Sequence, residues 1–290
     1  MAVIGAGAIG GAVAAALAEE SDHRVTVCVR RSIAALEVHR RDGSVVHSTP
    51  RIVTEPTDVE PCDVVLLATK TYQSVGAAPW LAAACRPGTL VGVLQNGIDQ
   101  VERIGPLVPD ARIVPVAVLL TAEAIAPGVV EYHGDALLEV PDDPNGRELA
   151  ALFEGTSVRV VPVADFLTRA WRKLLMNAVV GAVGALTLRD LSVLAEPAVE
   201  AAALALADEV VAVARAEGAA LDGELARRAI GAARKGAPGH RSSITVDRAA
   251  GRQLEWEARN AVIGRLGRRH GIPTPLNDLV TALLAACDPR

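Results

Sequence analysis

Residues 2–10 read AVIGAGAIG: a short apolar run, then glycines at 5, 7 and 10 in the spacing GxGxxG, then an alanine-rich stretch of helical character to residue 19. An apolar strand, a tight glycine turn and a helix in that order make a phosphate-binding loop. The first glycine permits the turn, the second lets backbone approach a pyrophosphate, and the third lets helix pack on strand. Free amides and the positive helix end then hold the diphosphate. Gly5, Ala6, Gly7, Ala8, Ile9 and Gly10 are therefore candidate contacts to a dinucleotide. The next apolar run, residues 25–29, leads into Arg30 and Arg31 rather than into an acid. A carboxylate there bonds the ribose 2′-hydroxyl of NAD, whereas a guanidinium binds a 2′-phosphate through forked, charge-assisted bonds. NADP(H) is the expected cofactor and Arg30 its expected contact; a solvated arginine pair is the plainer alternative.

Outward from the loop, residues 63–68 (DVVLLA) and 89–94 are continuous apolar runs of buried-strand type, with helical segments between them. Strands alternating with helices imply right-handed crossovers and a parallel sheet. From residue 112 the texture changes. Residues 114–120, 129–133 and 136–140 are strand-like, separated by PG and HGD turns, and are expected as edge strands of the same sheet. After residue 164 the strand signal stops, and residues 165–186, 197–217, 223–235, 252–269 and 277–286 read as helices. The expected architecture is α/β: an N-terminal Rossmann-type doubly wound parallel sheet, residues 1–164, followed without a Gly/Ser linker by an all-helical domain, residues 165–290.

Composition narrows the function classes. With 290 residues, 51% of them hydrophobic and 22% charged, the chain is long and apolar enough for a large core, which excludes disorder and coiled coil. A net charge of -5 argues against nucleic acid or an anionic membrane as the main partner. The uncharged start, residues 1–18, has no basic flank and is broken by glycines, so neither a signal peptide nor a membrane span is expected. Cys28, Cys62, Cys85 and Cys287 are scattered without metal-ligand spacing, as in a reduced, cytoplasmic protein without bound metal.

Polar residues close the later strands, on the side where open α/β sheets bind ligands. Lys70, Thr71, Tyr72 and Gln73 follow DVVLLAT, and Gln95, Asn96 and Gly97 follow LVGVL. They suit a cofactor rim, although Asn-Gly is also ordinary turn chemistry. In the helical half, Lys173 and Asn177 lie four residues apart on one helix face, with Phe166, Ala170 and Val180 beside the lysine. A snorkelling core-edge lysine is the plain alternative. Ser242 and Ser243 follow a PGHR turn. Glu255 shares a face with Ala258, Val262 and Leu266 and is the candidate buried carboxylate, with Glu257 roughly opposite; a simple intrahelical Glu255–Arg259 pair is the alternative.

Taken in order, GAGAIG, the strand-end arginine, KTYQ, QNG, WRKLLMN, SSITVD and RQLEWEARN running toward HGIPTP resemble the ketopantoate reductase family (2-dehydropantoate 2-reductase) over nearly the whole chain. The resemblance implies NADPH-dependent reduction of a 2-keto acid between a Rossmann domain and a helical domain. It implies Lys173 as proton donor, Asn177 and Ser243 as substrate-binding residues, and Asn96 touching both nicotinamide and substrate. It further implies Glu255 near cofactor and substrate, and Lys70 with Gln73 on the cofactor. Such a lysine would supply both charge and proton to the carbonyl oxygen, while Glu255 would either counterbalance that cation, the buried pair then titrating as a coupled unit, or bond a substrate hydroxyl. Two positions depart from the family pattern: Gly181 and Leu191 stand where the family carries asparagines. They bear on the substrate more than on the reaction. The same chemistry on another small carbonyl compound, or an NADP-binding protein without catalysis, are the competing expectations. Apolar helix faces in the second half make a homodimer plausible.

Overall fold

In the computed structural model, which describes residues 1–132, 136–234, 239 and 241–289, Ala2–Ile4 pairs in parallel with Thr26–Cys28 on one side and Val64–Leu67 on the other. Arg51–Val53 extends the sheet beyond Thr26–Cys28, while Leu90–Val93 and Arg112–Pro115 extend it beyond Val64–Leu67, all parallel. Counted in chain order among themselves, the six strands lie 3-2-1-4-5-6. That is the dinucleotide-binding order, with its reversal at the first strand and the glycine loop directly behind it.

The alanine-rich helix Ala8–Glu19 explains a difference from expectation. Eight of its residues, from Gly10 through Leu17, are buried, so it has no solvent face of any width. One side meets the parallel sheet. The other is covered by a second sheet of Ala122–Ala126, Val129–Tyr132, Leu36–His39 and Val45–Ser48, whose Leu36, Val38, Val130 and Tyr132 share its core. Residues 129–132 therefore join this small sheet and not the edge of the large one. Residues 137–141 go elsewhere again, between Arg159–Val163 and Ala117–Val118. Strands 36–39 and 45–48 lack a long apolar run because each shows only one face to the core. Helix Pro144–Ala151, capped by the Asp143 side chain, is a further element absent from the sequence expectation. The HGD turn at 133–135, residues 235–238 and His240 of the PGHR turn lie outside the described residues.

The chain divides into two compact units: residues 1–95 with 100–166, and residues 96–99 with 167–290. The second unit is helical and has its own core, centred on Trp171, Leu175, Val179, Val210 and Ile263. Its first helix, Phe166–Met176, runs through a π-turn at Asn177–Gly181 into Ala182–Thr187. A second π-turn, Glu257–Ala261, leads into helix Val262–His270. The helix expected from residue 252 thus begins later. Residues 252–255 are not helical, because Gly251 turns with φ +64 and Asp288 holds the following segment. Its Oδ1 accepts from Leu254 N at 2.6 Å and its Oδ2 from Trp256 Nε1 at 2.9 Å. Among the described residues no helix is long and apolar enough to cross a membrane.

Candidate active site

Each glycine of the phosphate loop does what its place requires. Gly5 has φ +96, and a Cβ there would press on Thr69 at 3.0 Å. A Cβ on Gly10 would lie 1.8 Å from the Gly5 carbonyl oxygen, so nothing larger fits where the helix crosses the strand. Gly7 differs: it is exposed, and a Cβ there would meet nothing within 4 Å. Gly7 is also the N-cap of Ala8–Glu19, which has no side-chain cap and no acid in its first turn. An open helix N-terminus with free space over its middle glycine fits a diphosphate. Ala6, Ala8 and Ile9 are half-buried around it. Arg30 and Arg31 are exposed just past Thr26–Cys28, the strand adjoining the loop's own strand.

Lys70 and Gln73 sit in the turn after Val64–Leu67, where the Lys70 N–H donates to Gln73 Oε1 at 3.3 Å. Gln95 is not part of a rim. It is buried, donates to Thr69 Oγ1 at 2.9 Å and accepts from Ser74 Oγ at 3.1 Å, tying two strand-end loops together. Asn96 and Gly97 belong to the second unit. Gly97, at φ +109, comes so near the helical layer that a Cβ would sit 3.3 Å from Ala258. This close approach lets Asn96 Nδ2 donate to Glu255 Oε2 at 2.9 Å.

The second unit gathers Asn96, Lys173, Ser243 and Glu255 into one cluster, with Asn177 one turn beyond the lysine at the start of the π-turn. At its centre is Arg259. This side chain is 1% exposed; its Nη2 donates to Ser243 Oγ at 3.0 Å and faces Glu255 Oε2 at 3.4 Å. Glu255 is buried and Glu257 exposed, in line with the helical wheel. Glu255 forms its ion pair with Arg259, one turn on, which is the plainer of the two expectations, and its charge also acts on Lys173. Lys173 is half-buried and feels both charges at longer range. Burial strips water from its ammonium, Arg259 repels it and Glu255 attracts it, and the net effect lowers its pKa to about 8. Near neutral pH this is a charged donor that releases its proton readily, suited to an oxygen gaining negative charge.

Two of these residues escaped the sequence. Arg259 was visible only as half of an ordinary i,i+4 pair; the available signal was an arginine flanked by the buried Ala258, Val262 and Ile263. Asp288 gave none, since its partners lie over thirty positions away. The GAVG stretch that departs from the family pattern also has a structural reason. A Cβ on Gly184 would lie 2.6 Å from Thr245 Oγ1, and one on Gly181 3.3 Å from Ile244 and 3.5 Å from Arg259 Nη1. The two glycines let helix Ser243–Ala249 lie against this segment and leave room for the guanidinium.

Comparison with known proteins agrees with this geometry. Residues 1–145 match the family described as ketopantoate reductase PanE/ApbA, and residues 165–288 match its C-terminal part. A 2-dehydropantoate 2-reductase of Caulobacter vibrioides is 43% identical over 99% of this chain and 98% of its own. One of Mycobacterium tuberculosis is 39% identical over 99% and 97%. The crystal structure of a PanE/ApbA family ketopantoate reductase from Ralstonia eutropha superposes with a TM-score of 0.90 at 29% identity, covering 99% and 98% of the two chains. With a phosphate loop in the first unit, a lysine–glutamate–arginine cluster in the second and both halves of one family matched in order, this chain belongs to the ketopantoate reductase family.

Proposed function

We propose that this chain is an NADPH-dependent oxidoreductase that reduces 2-dehydropantoate to pantoate, a step of pantothenate biosynthesis. One observation carries the chemistry: a half-buried lysine with its pKa lowered to about 8, beside a buried carboxylate–guanidinium pair, in a chain of this family. Residues 1–164 hold the cofactor and residues 165–290, with Asn96, hold and protonate the substrate. Gly5, Ala6, Gly7, Ala8, Ile9 and Gly10 cradle the diphosphate, and Lys70 and Gln73 add contacts. Arg30 takes the 2′-phosphate, which the lack of an acid beside it favours. The bound dinucleotide supplies the hydride.

The chain's own residues do the rest. Lys173 donates its proton to the carbonyl oxygen as negative charge builds there, and its cationic charge stabilises that oxygen beforehand. Asn177 and Ser243 orient the substrate by hydrogen bonds. Glu255, held by Asn96 and Arg259, keeps a negative charge beside Lys173 and so favours the protonated donor. The deciding experiment is NADPH consumption with 2-dehydropantoate against a panel of simpler 2-keto acids, repeated with NADH. A kcat/KM no better for 2-dehydropantoate than for the panel would refute the assigned substrate, and equal use of NADH would refute the role of Arg30.

A second substrate, reduced by the same chemistry, is favoured by Gly181, where no side chain reaches toward the site, and by Leu191 at the start of a short 3-10 turn. The same panel separates the two. Four free cysteines, Cys28 among them buried, suit the reducing cytoplasm. Leu276, Leu279 and Leu283 are exposed in one stripe along helix Pro275–Ala286, a surface that a second copy of the chain covers in a homodimer.

A further inference from the structure

The Gln95 side chain is 2% exposed and fills both the donor and the acceptor positions of its amide. Its Nε2 donates to Thr69 Oγ1 at 2.9 Å and to the Lys70 carbonyl at 3.4 Å. Its Oε1 accepts from Arg103 Nη2 at 3.3 Å and from Ser74 Oγ at 3.1 Å, and the same hydroxyl lies 2.7 Å from the Thr71 carbonyl oxygen. The main chain is pinned as well. Gln100 Nε2 donates to the Gln95 carbonyl at 3.1 Å and to that of Val116 at 3.2 Å. All of these residues belong to the first unit. A buried amide that loses a partner leaves an unpaired group, which costs more than the bond itself contributes, so this amide holds residues 69–71 and 74 in one arrangement.

The candidate cofactor contacts lie directly against those residues. Thr69 backs onto the phosphate loop: its methyl carbon and its main-chain nitrogen are the atoms that a Cβ on Gly5 would meet, at 3.0 and 3.1 Å. The Cβ of the preceding Ala68 would stand 2.9 Å from one on Gly10. Lys70 opens the turn that closes on Gln73. The glycine loop and the Lys70–Gln73 turn therefore share one support, and Gln95 supplies it by bonding Thr69 and the Lys70 carbonyl from below.

We propose that Gln95 is the positioning residue of the dinucleotide site: through Thr69 it fixes the glycine loop, and through the Lys70 carbonyl and Ser74 it fixes the turn that carries Lys70 and Gln73. This rests on the cofactor reading above and deepens it. A diphosphate on a glycine loop is held by backbone N–H groups. Such groups cannot turn individually toward a ligand as side chains can, so a small shift of the loop misaligns several of them at once. Gln95 acts on binding through its neighbours and not by contact with the cofactor.

The test is fluorescence titration of the protein with NADPH, a readout that needs no turnover. Gln95→Leu, apolar and of similar size, is expected to bind about tenfold more weakly. Gln95→Glu keeps both acceptor positions and can take the Thr69 hydroxyl as a donor, so it is expected to recover most of that loss. Thr69→Val keeps a methyl carbon against Gly5 but has no hydroxyl. It is expected to weaken binding several-fold, yet to add less than about twofold on top of Gln95→Leu, because both variants break the same relay. Leu149→Ala, a core change in helix Pro144–Ala151, shows what lost stability does by itself; its Tm falls while its affinity stays within about twofold of the wild type. Unchanged affinity in Gln95→Leu, an equal loss in Leu149→Ala, or losses that multiply in the double variant overturn the proposal. Should Gln95→Leu fail to fold, Thr69→Val decides: weaker binding supports the relay and wild-type affinity overturns it. A wild type that binds neither NADPH nor NADH is a different failure, since it removes the cofactor reading and this proposal with it.

Discussion

At the scale of single residues, the property that matters most is the proton affinity of Lys173. In the proposed role the lysine must be protonated to act as an acid, so the proposal puts activity below its pKa and its loss above it. With the pKa near 8, kcat/KM is expected to be level at pH 6–7 and to fall about tenfold per pH unit on the alkaline side. A profile still level at pH 10 would remove Lys173 as the titrating donor. Lys173→Ala should lower kcat/KM by about 10²–10⁴-fold while NADPH affinity, measured by fluorescence titration, stays within a few-fold. The usual alternative for such a residue, a lysine lying along the core edge with its ammonium in water, predicts an ordinary pKa; the burial of this ammonium, with repulsion from Arg259 added, argues against it.

At the scale of elements, both site-bearing helices of the second unit carry a π-turn, and the two turns are stitched together. A π-turn widens the helix and leaves a carbonyl without its usual partner. Asn260 in the second turn donates through Nδ2 to the Ala178 carbonyl in the first at 2.9 Å. Asn260 is held in turn by Asn277, which bonds Glu209, and Glu209 also caps the start of helix Pro275–Ala286 through the N–H groups of Leu276 and Asn277. Polar side chains thus hold the Lys173 and Arg259 segments in register where apolar contacts alone would let them slide. Asp288 performs the same service for Glu255, by bonding the residues on either side of it. Asp288→Ala is expected to lower kcat several-fold without changing NADPH affinity, because it frees the segment that aims the carboxylate. Unchanged kcat would show that the segment holds its shape without that bond.

At the scale of the whole molecule, each unit has its own core, and the second draws four residues, 96–99, from the middle of the first in sequence. That exchange puts Asn96 on Glu255 and Asp99 on Arg265, at 2.7 Å. The exposed leucine stripe on Pro275–Ala286 is a property of this scale too. Sedimentation equilibrium should find a dimer, and Leu279→Glu, which places a charge in the stripe at a position 56% exposed, should yield monomer with its fold intact by circular dichroism. A wild type that stays monomeric at high concentration would leave that surface without the proposed partner.

The phosphate loop, the parallel sheet and the change to helices were legible in the sequence because each rests on local physics. A glycine is demanded where backbone crosses backbone, a buried strand needs a continuous apolar run, and an amphipathic helix repeats every 3.6 residues. Lys173 could be singled out because it interrupts an apolar helix face, and Glu255 because it continues the apolar stripe of Ala258, Val262 and Leu266, although it lies just before that helix begins. Only the tertiary structure decided that a second sheet wraps the alanine helix, that Gln95 is structural while Asn96 reaches Glu255, and that the glutamate pairs with Arg259 rather than with the lysine. Charges and amides choose partners by distance in space, and that distance depends on how closely helices pack. Here Gly97, Gly181 and Gly184 set that closeness, three residues whose lack of a side chain gives no hint of what it lets in.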